Sequence, residues 1–440
     1  MRRFAESVLR SGDARRFGLG LVWSTLGMAA VRLTPLITTV IISRTLGIEI
    51  VGEFAIAYGT LMSAGMLAAS GLSIMAVRNI AANVDRDKEL TGRIVGMALI
   101  LVGICSVALA ALFYALSDVI ARSVLAQPEV APSLALVAPI VVLNALSQVQ
   151  QAVLGGLQRF AAIARLNLFF GLALICLVPL GLLRYGLVGC FVAMGAATLC
   201  LCIGSFPTMR RALAENGVSI RFRGALSEWP LITRYALPAL IASIVFEPVQ
   251  WICVAILAGA SGGLTAVGIY YIAMQLETLL VFVPQIVVNV VTPMLSSAFG
   301  AGDRRRLAGI LMMSVGTTSA IAVGFVGFML LFGDLVLRVF SLDVGVHWPV
   351  FVFAVANAAV MAFAAPLGAV PSTSGYTWSG LAITAGWALT FIGGTWLLRD
   401  QGAEGATAAR LIAWSAQTVV YVLFTRWLLT RPALATQPAE

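Results

Sequence analysis

The sequence predicts an all-α, polytopic membrane protein of about 12 transmembrane helices, and two observations support this prediction. Hydrophobic residues make up 60% of the 440 residues and charged residues only 11%, too few to cover a soluble protein with a polar surface. The hydrophobic residues also form continuous blocks of about 20 residues, the length that crosses a bilayer as a helix. Lipid offers the backbone no hydrogen-bond partners, so these blocks are helices or barrel strands, and continuous apolar runs exclude the barrel.

Apolar segments lie at regular intervals along the whole chain. They are 19–43, 54–77, 94–116, 131–154, 162–183, 187–206, 232–258, 266–294, 308–332, 347–371, 376–398 and 403–427. The connections at 184–186 and 399–402 are so short that the segments on either side of each should form antiparallel hairpins.

The loop charges predict the orientation in the membrane. With the N-terminus inside, 21 Lys and Arg residues lie on the cytoplasmic side and five on the other. Basic loops stay in the cytoplasm, so we expect a multi-pass protein of the bacterial inner membrane with both termini cytoplasmic. The net charge of +9 is therefore explained by basic loops that orient the chain in the membrane, and no nucleic-acid partner is expected.

The two halves of the chain resemble each other at an offset near 216 residues. Gly52 and Gly268 both start the second span of a half, and Asp87 of DKELTGRI matches Asp303 of DRRRLAGI. The fifth-to-sixth hairpins also match, with Gly186 and Gly189 opposite Gly402 and Gly405. Parallel repeats of this kind predict two six-helix lobes with a central cavity between them.

The longest polar segment divides these halves and defines the predicted domains. They are an N-terminal lobe (1–206), a cytoplasmic basic linker (207–231), a C-terminal lobe (232–430) and a disordered tail (431–440).

Away from the ends of the predicted spans, five charged residues stand inside them: Arg32, Arg165, Glu247, Glu277 and Arg410. A charge at a helix centre costs roughly 2.5–3.5 kcal/mol on insertion scales, so each needs a partner or a function. Arg32 and Glu247 occupy nearly equivalent places in the two halves, which suits either a structural ion pair or a gate that opens when Arg32 binds phosphate. Glu277 is either a proton-coupling carboxylate or a member of an interhelical hydrogen bond.

Two polar helix faces add uncharged candidates. They comprise Asn144, Ser147, Gln148 and Gln151 in the fourth span, and Gln285, Asn289, Thr292 and Ser296 in the eighth. Residues at this spacing share one helix face. Such a face either hydrogen-bonds sugar hydroxyls, for which Gln148, Gln151, Gln285 and Asn289 are the candidates, or joins neighbouring helices.

Several chemistries are excluded by missing motifs. The sequence has no phosphate-binding G-x-x-x-x-G-K-[ST] loop, and its single histidine, His347, cannot form a zinc-binding H-E-x-x-H motif. The six cysteines all lie inside apolar blocks, without the spacing of a metal site or a disulfide framework. We therefore expect no metal, no cofactor and no enzymatic activity.

Three stretches resemble a known family. RTLGIEIVGEFAIAYGTLMSAGMLAASGLSIMAVRNIA (44–81) resembles the first loop and second span of bacterial polysaccharide-precursor flippases. These are the Wzx-like members of the multidrug/oligosaccharidyl-lipid/polysaccharide (MOP) exporter superfamily. ITRYALPALIASIVFEPVQW, opening the seventh span, and VTPMLSSAFGAGDRRRL, closing the eighth, are similar to the same family. The similarity extends from about residue 15 to 430.

The resemblance implies a flippase that moves undecaprenyl-pyrophosphate-linked oligosaccharide across the inner membrane by alternating access. The oligosaccharide would be a repeat unit of O-antigen, capsule or exopolysaccharide. Arg32, Arg165 and Arg410 would line the cavity that receives the pyrophosphate, with Glu247 and Glu277 serving in gating or coupling. The implied partners are the lipid-linked oligosaccharide, membrane lipids, and the polymerase and glycosyltransferases of the same pathway.

Two other functions remain open at this stage. A multidrug or cation exporter of the same superfamily would use acidic and aromatic residues in its lobes to attract cations. A membrane-embedded sugar polymerase or ligase would carry catalytic side chains in a large periplasmic loop. The longest predicted periplasmic segment is 117–130, which has only Asp118, Arg122 and Glu129 as charged residues. A periplasmic segment this short leaves no room for a large catalytic loop, which argues against a polymerase or ligase.

We predict that a reporter fused after residue 430 stays in the cytoplasm, because the positive charges of the loops hold both termini there. A C-terminal green fluorescent protein should fluoresce, and a C-terminal alkaline phosphatase should be inactive. Active phosphatase at this position would contradict the orientation.

Overall fold

The computed structural model describes residues 33–229 and 245–430, and all regular secondary structure in these residues is helical. This confirms the predicted all-α class. Arg32 and the tail 431–440, which is predicted to be disordered, lie outside the described residues.

The predicted apolar segments are helical wherever the structure describes them. The helices are α1 (Leu33–Thr45), α2 (Ile48–Asn83), α3 (Lys88–Val119), α4 (Ala131–Gly156), α5 (Phe160–Glu215), α6 (Phe246–Ala258), α7 (Gly263–Gly300), α8 (Arg304–Val339), α9 (Val344–Gly368), α10 (Thr377–Leu397) and α11 (Gly402–Thr430). Within the described ranges, nine helices are long and apolar enough to cross a membrane, and α1 and α6 are shorter apolar helices.

Helix α5 contains two of the predicted spans, joined at a sharp turn. Gly186 interrupts the helix with φ 59° and ψ −145°, a conformation that a residue with a Cβ rarely adopts. On either side of the turn, a Cβ on Gly181 would lie 2.3 Å from the carbonyl oxygen of Gly189, and a Cβ on Gly189 would lie 2.1 Å from that of Gly181. The two arms therefore pack backbone to backbone as the predicted hairpin.

The 216-residue offset reappears in the backbone conformation. Gly402, the counterpart of Gly186, starts α11 with φ 62° and ψ −136°. Gly47 and Gly263, also 216 positions apart, both have positive φ. Each half thus turns at the same place with the same kind of residue, because only glycine adopts these conformations without strain.

The start of the third helix in each half is also capped in the same way. The side chain of Asp87 accepts a hydrogen bond from the backbone N–H of Leu90 at 2.8 Å, and that of Asp303 accepts one from Arg306 at 2.9 Å. An aspartate at this position satisfies one of the free N–H groups of the first turn.

The described residues fall into two compact units. The first unit is Met1–Leu46 with Ile56–Pro248, and the second unit is Gly47–Ala55 with Val249–Glu440. In the first unit, α3 packs against α4 and α4 against α5, and their buried faces form one apolar core with α2. In the second unit, α9 packs against α7, α8 and α11, and α10 pairs with α11.

A close helix crossing in the second unit joins residues related by the repeat. A Cβ on Gly52 would lie 2.0 Å from the carbonyl oxygen of Leu264, and a Cβ on Gly268 would lie 2.2 Å from that of Ile48. The offset of 216 relates Ile48 to Leu264 and Gly52 to Gly268, so the two contacts are reciprocal. Small residues let helix backbones approach this closely in membranes, where dispersion forces rather than the hydrophobic effect hold helices together.

The predicted linker begins as helix. Residues 207–215 continue α5, and 216–229 fold back onto α3 as a strap in the first unit. The backbone N–H of Arg221 donates to the carbonyl of Gly92 at 3.1 Å, and a Cβ on Gly92 or Gly96 would collide with the backbone of Ser219 or Arg221.

Ion pairs hold the outer side of the same strap. Arg221 pairs with Glu89 at 2.9 Å, and Arg93 pairs with Glu228 at 3.0 Å. These side chains are partly exposed, so the pairs contribute little to stability and the backbone packing against α3 contributes more.

We predict that Gly52→Ala destabilises the protein by about 1–3 kcal/mol or more, because its new methyl group would overlap the backbone of Leu264 rather than a movable side chain. Gly103→Ala is the matched control, since a Cβ on that helical glycine meets nothing within 4 Å and alanine favours the helix. Thermal unfolding in detergent should show a lower midpoint for the first variant alone. Equal midpoints would contradict the close crossing.

Candidate functional site

A buried ion pair lies inside the second unit. Glu277 on α7 is 1% exposed and Arg410 on α11 is 5% exposed. The Arg410 Nε atom donates to Glu277 Oε2 at 2.7 Å, a short charge-assisted hydrogen bond. Both residues were candidates in the sequence, and the structure brings them together across two helices.

Two further contacts fix the guanidinium group. One of its terminal nitrogens donates to the side-chain oxygen of Gln250 on α6 at 2.8 Å. Its central carbon lies 5.6 Å from the ring centroid of Phe391 on α10, within the range of a cation–π interaction. Arg410 is therefore held by side chains from three other helices.

Polar residues complete the surroundings of the pair. Asn357, fully buried on α9, lies beside the carboxylate of Glu277, and Tyr270 of α7 lies beside Arg410. Five helices thus contribute to one buried polar cluster in the second unit, made of Gln250, Tyr270, Glu277, Asn357, Phe391 and Arg410. We call this set the buried cluster.

The charges of the buried cluster balance. A charge removed from water without a partner costs several kcal/mol, and a well-formed pair with extra hydrogen bonds offsets that cost. Arg410 has its positive charge neutralised by Glu277. In this conformation it is a partner of that carboxylate rather than an open phosphate ligand.

Two other charged candidates, Arg165 and Glu247, lie in the first unit. Arg165 is exposed on α5, where its Nε donates to the carbonyl of Ala161 at 3.2 Å. Glu247 is half-buried and lies close to Tyr58 of α2. The predicted pairing of Glu247 with Arg32 involves a residue outside the described part of the chain.

The predicted polar face of the fourth span makes hydrogen bonds within its own helix and packs against α2. In the fourth span, Gln148 donates to Asn144 at 2.6 Å within α4, next to Gly65 of α2, and Gln151 is half-buried. A Cβ on Gly65 would lie 2.9 Å from the side-chain oxygen of Asn144, so this face packs against a neighbouring helix.

Hydroxyl groups on both faces bond to their own helices. Ser147 donates to the carbonyl of Leu143, and Thr292 donates to that of Val288. In the eighth span, Gln285 is half-buried and Asn289 is exposed. Of the four predicted sugar contacts, Asn289 is therefore the most accessible.

Sequence reasoning missed four members of the buried cluster as site residues: Gln250, Tyr270, Asn357 and Phe391. None carries a charge, so none stood out in an apolar span. A signal for the pair itself was available, because Glu277 and Arg410 are opposite charges in the same half of the chain. Within the described residues, no group of three or more His, Cys, Asp or Glu is placed to hold a metal ion.

We predict that Glu277→Leu and Arg410→Met each destabilise the protein by about 3–5 kcal/mol, because each leaves the opposite charge buried without a partner. The double variant removes both charges and should lose less stability than either single variant. Thermal unfolding of the four proteins in detergent measures this coupling. Additive losses would show that the two charges do not depend on each other.

Comparisons with known proteins support the fold and the family. The family model for "Polysaccharide biosynthesis protein" matches residues 18–299, more than half of the chain. The EPS I polysaccharide export inner membrane protein EpsE of Ralstonia nicotianae is 23% identical over 319 residues, which cover 70% of each protein.

Solved structures show the same architecture. An inward-facing multidrug resistance MATE family transporter of the MOP superfamily aligns with a TM-score of 0.82 at 18% identity, covering 92% of this chain and 98% of that one. The lipid II flippase MurJ, in an inward closed conformation, aligns with a TM-score of 0.73 at 13% identity, covering 92% and 87%. Likeness at these identities establishes the fold alone.

The helical architecture and the family match agree with each other and with the resemblance seen in the sequence. This is a family of transporters rather than of enzymes. The chain belongs to the polysaccharide biosynthesis protein family and is a multi-pass inner-membrane protein with the fold of the MOP superfamily.

Proposed function

We propose that this protein carries an undecaprenyl-diphosphate-linked oligosaccharide from the cytoplasmic to the periplasmic leaflet of the inner membrane. The observation that carries the proposal is the family match over residues 18–299. The relative from Ralstonia is named a polysaccharide export protein, and MurJ, which shares the fold, is named a lipid II flippase. Both names support a saccharide substrate, and the second supports a lipid-linked one.

The proposed transport cycle is alternating access by two six-helix lobes around a central cavity, with both termini cytoplasmic. The diphosphate of the substrate would bind Arg32 and Arg165, since a guanidinium group stays charged and matches phosphate oxygens bidentately. Glu247 would act in gating. Arg410 keeps a supporting role in this scheme, because Glu277 neutralises it.

The saccharide head group of such a substrate also needs uncharged hydrogen-bond partners. Gln148, Gln151, Gln285 and Asn289 remain the proposed contacts for sugar hydroxyls, and the exposure of its side chain favours Asn289. The lipid tail would stay in the bilayer, where the exposed apolar helix surfaces already lie. The polymerase and glycosyltransferases of the pathway are the proposed protein partners.

We predict that deleting the gene in its native host abolishes surface polysaccharide and leaves the lipid-linked oligosaccharide in the cytoplasmic leaflet. Complementation with Arg32→Ala should lower surface polymer about tenfold or more, because a charge-assisted hydrogen bond is lost. Arg32→Lys should restore part of it, since the charge remains but the bidentate geometry does not. Glu247→Gln tests the proposed gate.

Arg122→Ala is the control for these variants, because among the described residues that exposed arginine pairs only with Asp118, one turn earlier on α3. It should complement as the wild type does, and all variants must reach the membrane in equal amounts. Normal polymer in the deletion strain, together with raised sensitivity to cationic drugs, would overturn the proposal in favour of a multidrug exporter.

A further inference from the structure

The side-chain amide of Gln250 has a fixed orientation. A guanidinium group donates hydrogen bonds and accepts none, so the Gln250 atom that faces Arg410 at 2.8 Å is its oxygen. The amide nitrogen, with two N–H donors, therefore points away from Arg410. Within the described part of the chain, that nitrogen donates no hydrogen bond.

Gln250 lies on the face of α6 that packs into the second unit. Ile252, two residues later, is 38% exposed and lies on nearly the opposite side of the helix. Val254 and Leu257, which flank Gln250 on the helix surface, are buried in the second unit. Gln250 itself is half-buried, so part of its side chain stays accessible at the edge of this packed face.

The buried pair behind Gln250 accounts for the rigidity of this amide. Glu277 holds Arg410, and Arg410 holds the oxygen of Gln250, so three residues from α7, α11 and α6 form one chain of hydrogen bonds. A donor whose direction is set in advance binds a ligand at a lower entropic cost. Glu277 and Arg410 thus act as positioning residues, and Gln250 is the group in position to touch a ligand.

The net charge around Gln250 determines which chemical groups of a ligand can bind there. The charges of Arg410 and Glu277 cancel, and the amide of Gln250 is neutral. A diphosphate would find no net positive charge here, whereas a hydroxyl or acetamido oxygen of a sugar needs only an N–H donor.

We propose that Gln250 binds a neutral oxygen atom of the sugar head group, oriented for this role by the buried pair of Glu277 and Arg410. This inference rests on the proposed function, because it names a residue that binds the oligosaccharide of the lipid-linked substrate.

Two variants separate ligand binding from structural support. Gln250→Glu keeps oxygen atoms facing Arg410 but has no N–H to donate, so it preserves the partner of Arg410 and removes the proposed ligand contact. Gln250→Met removes both. Gln401→Glu makes the same chemical change at an exposed residue in the α10–α11 connection and serves as the control.

The measurement is binding to purified protein in lipid nanodiscs. The probes are undecaprenyl diphosphate without sugar and the undecaprenyl-diphosphate-linked oligosaccharide extracted from the deletion strain. Gln250→Glu should bind the sugar-bearing probe about tenfold more weakly than the wild type and the sugar-free probe equally well. Its thermal midpoint should fall less than that of Gln250→Met, because Arg410 keeps an oxygen partner although the added carboxylate leaves one excess negative charge.

Three other results of these binding measurements would each contradict a specific part of the proposal. Wild-type affinity of Gln250→Glu for the sugar-bearing probe would show that Gln250 serves only to support Arg410. Equal weakening toward both probes would assign the contact to the diphosphate instead. A wild-type protein that binds neither probe would overturn the proposed function itself, and with it this inference.

Discussion

Inside the helical units the dielectric is low, so a charge or backbone polar group without a partner is costly, and the arrangement of the chain follows from that constraint. The backbone meets it by forming helices throughout the described residues. Hydroxyl side chains meet it locally, as when Thr38 and Thr60 donate to carbonyls one turn earlier in their own helices. Charged groups cannot be satisfied so locally, and Arg410 and Glu277 therefore determine how α7 and α11 face each other.

Backbone proximity is the second feature that organises the fold. Glycines at Gly52, Gly189 and Gly268 bring carbonyl oxygens of neighbouring segments to where a side chain would otherwise stand. Without a hydrophobic driving force between helices in lipid, such close packing contributes much of the attraction. The reciprocal contacts of Gly52 and Gly268 also show that the repeat is a property of tertiary packing as well as of sequence.

The buried cluster connects this architecture with the proposed transport of a saccharide. An arginine inside a span would ordinarily attract an anion, but the partner carboxylate removes that attraction and leaves a neutral, rigid donor at Gln250. The basic residues that suit a diphosphate lie elsewhere, as the exposed Arg165 illustrates. In the proposed scheme, different surfaces would recognise the charged and the uncharged parts of one head group.

The sequence by itself determined the helical class, the position of the spans, the glycine turns at Gly186 and Gly402 and the aspartate caps. Each of these depends on a few neighbouring residues: the length of an apolar run, a backbone conformation open to glycine, or a side chain that bonds the next turn. The tertiary structure decided which intramembrane charges meet. Glu277 and Arg410 are 133 residues apart, and their contact depends on how each helix is rotated about its axis in the packed unit. The orientation of Gln250 was decided in the same way, because nothing in its own neighbourhood of sequence indicates the guanidinium that holds it.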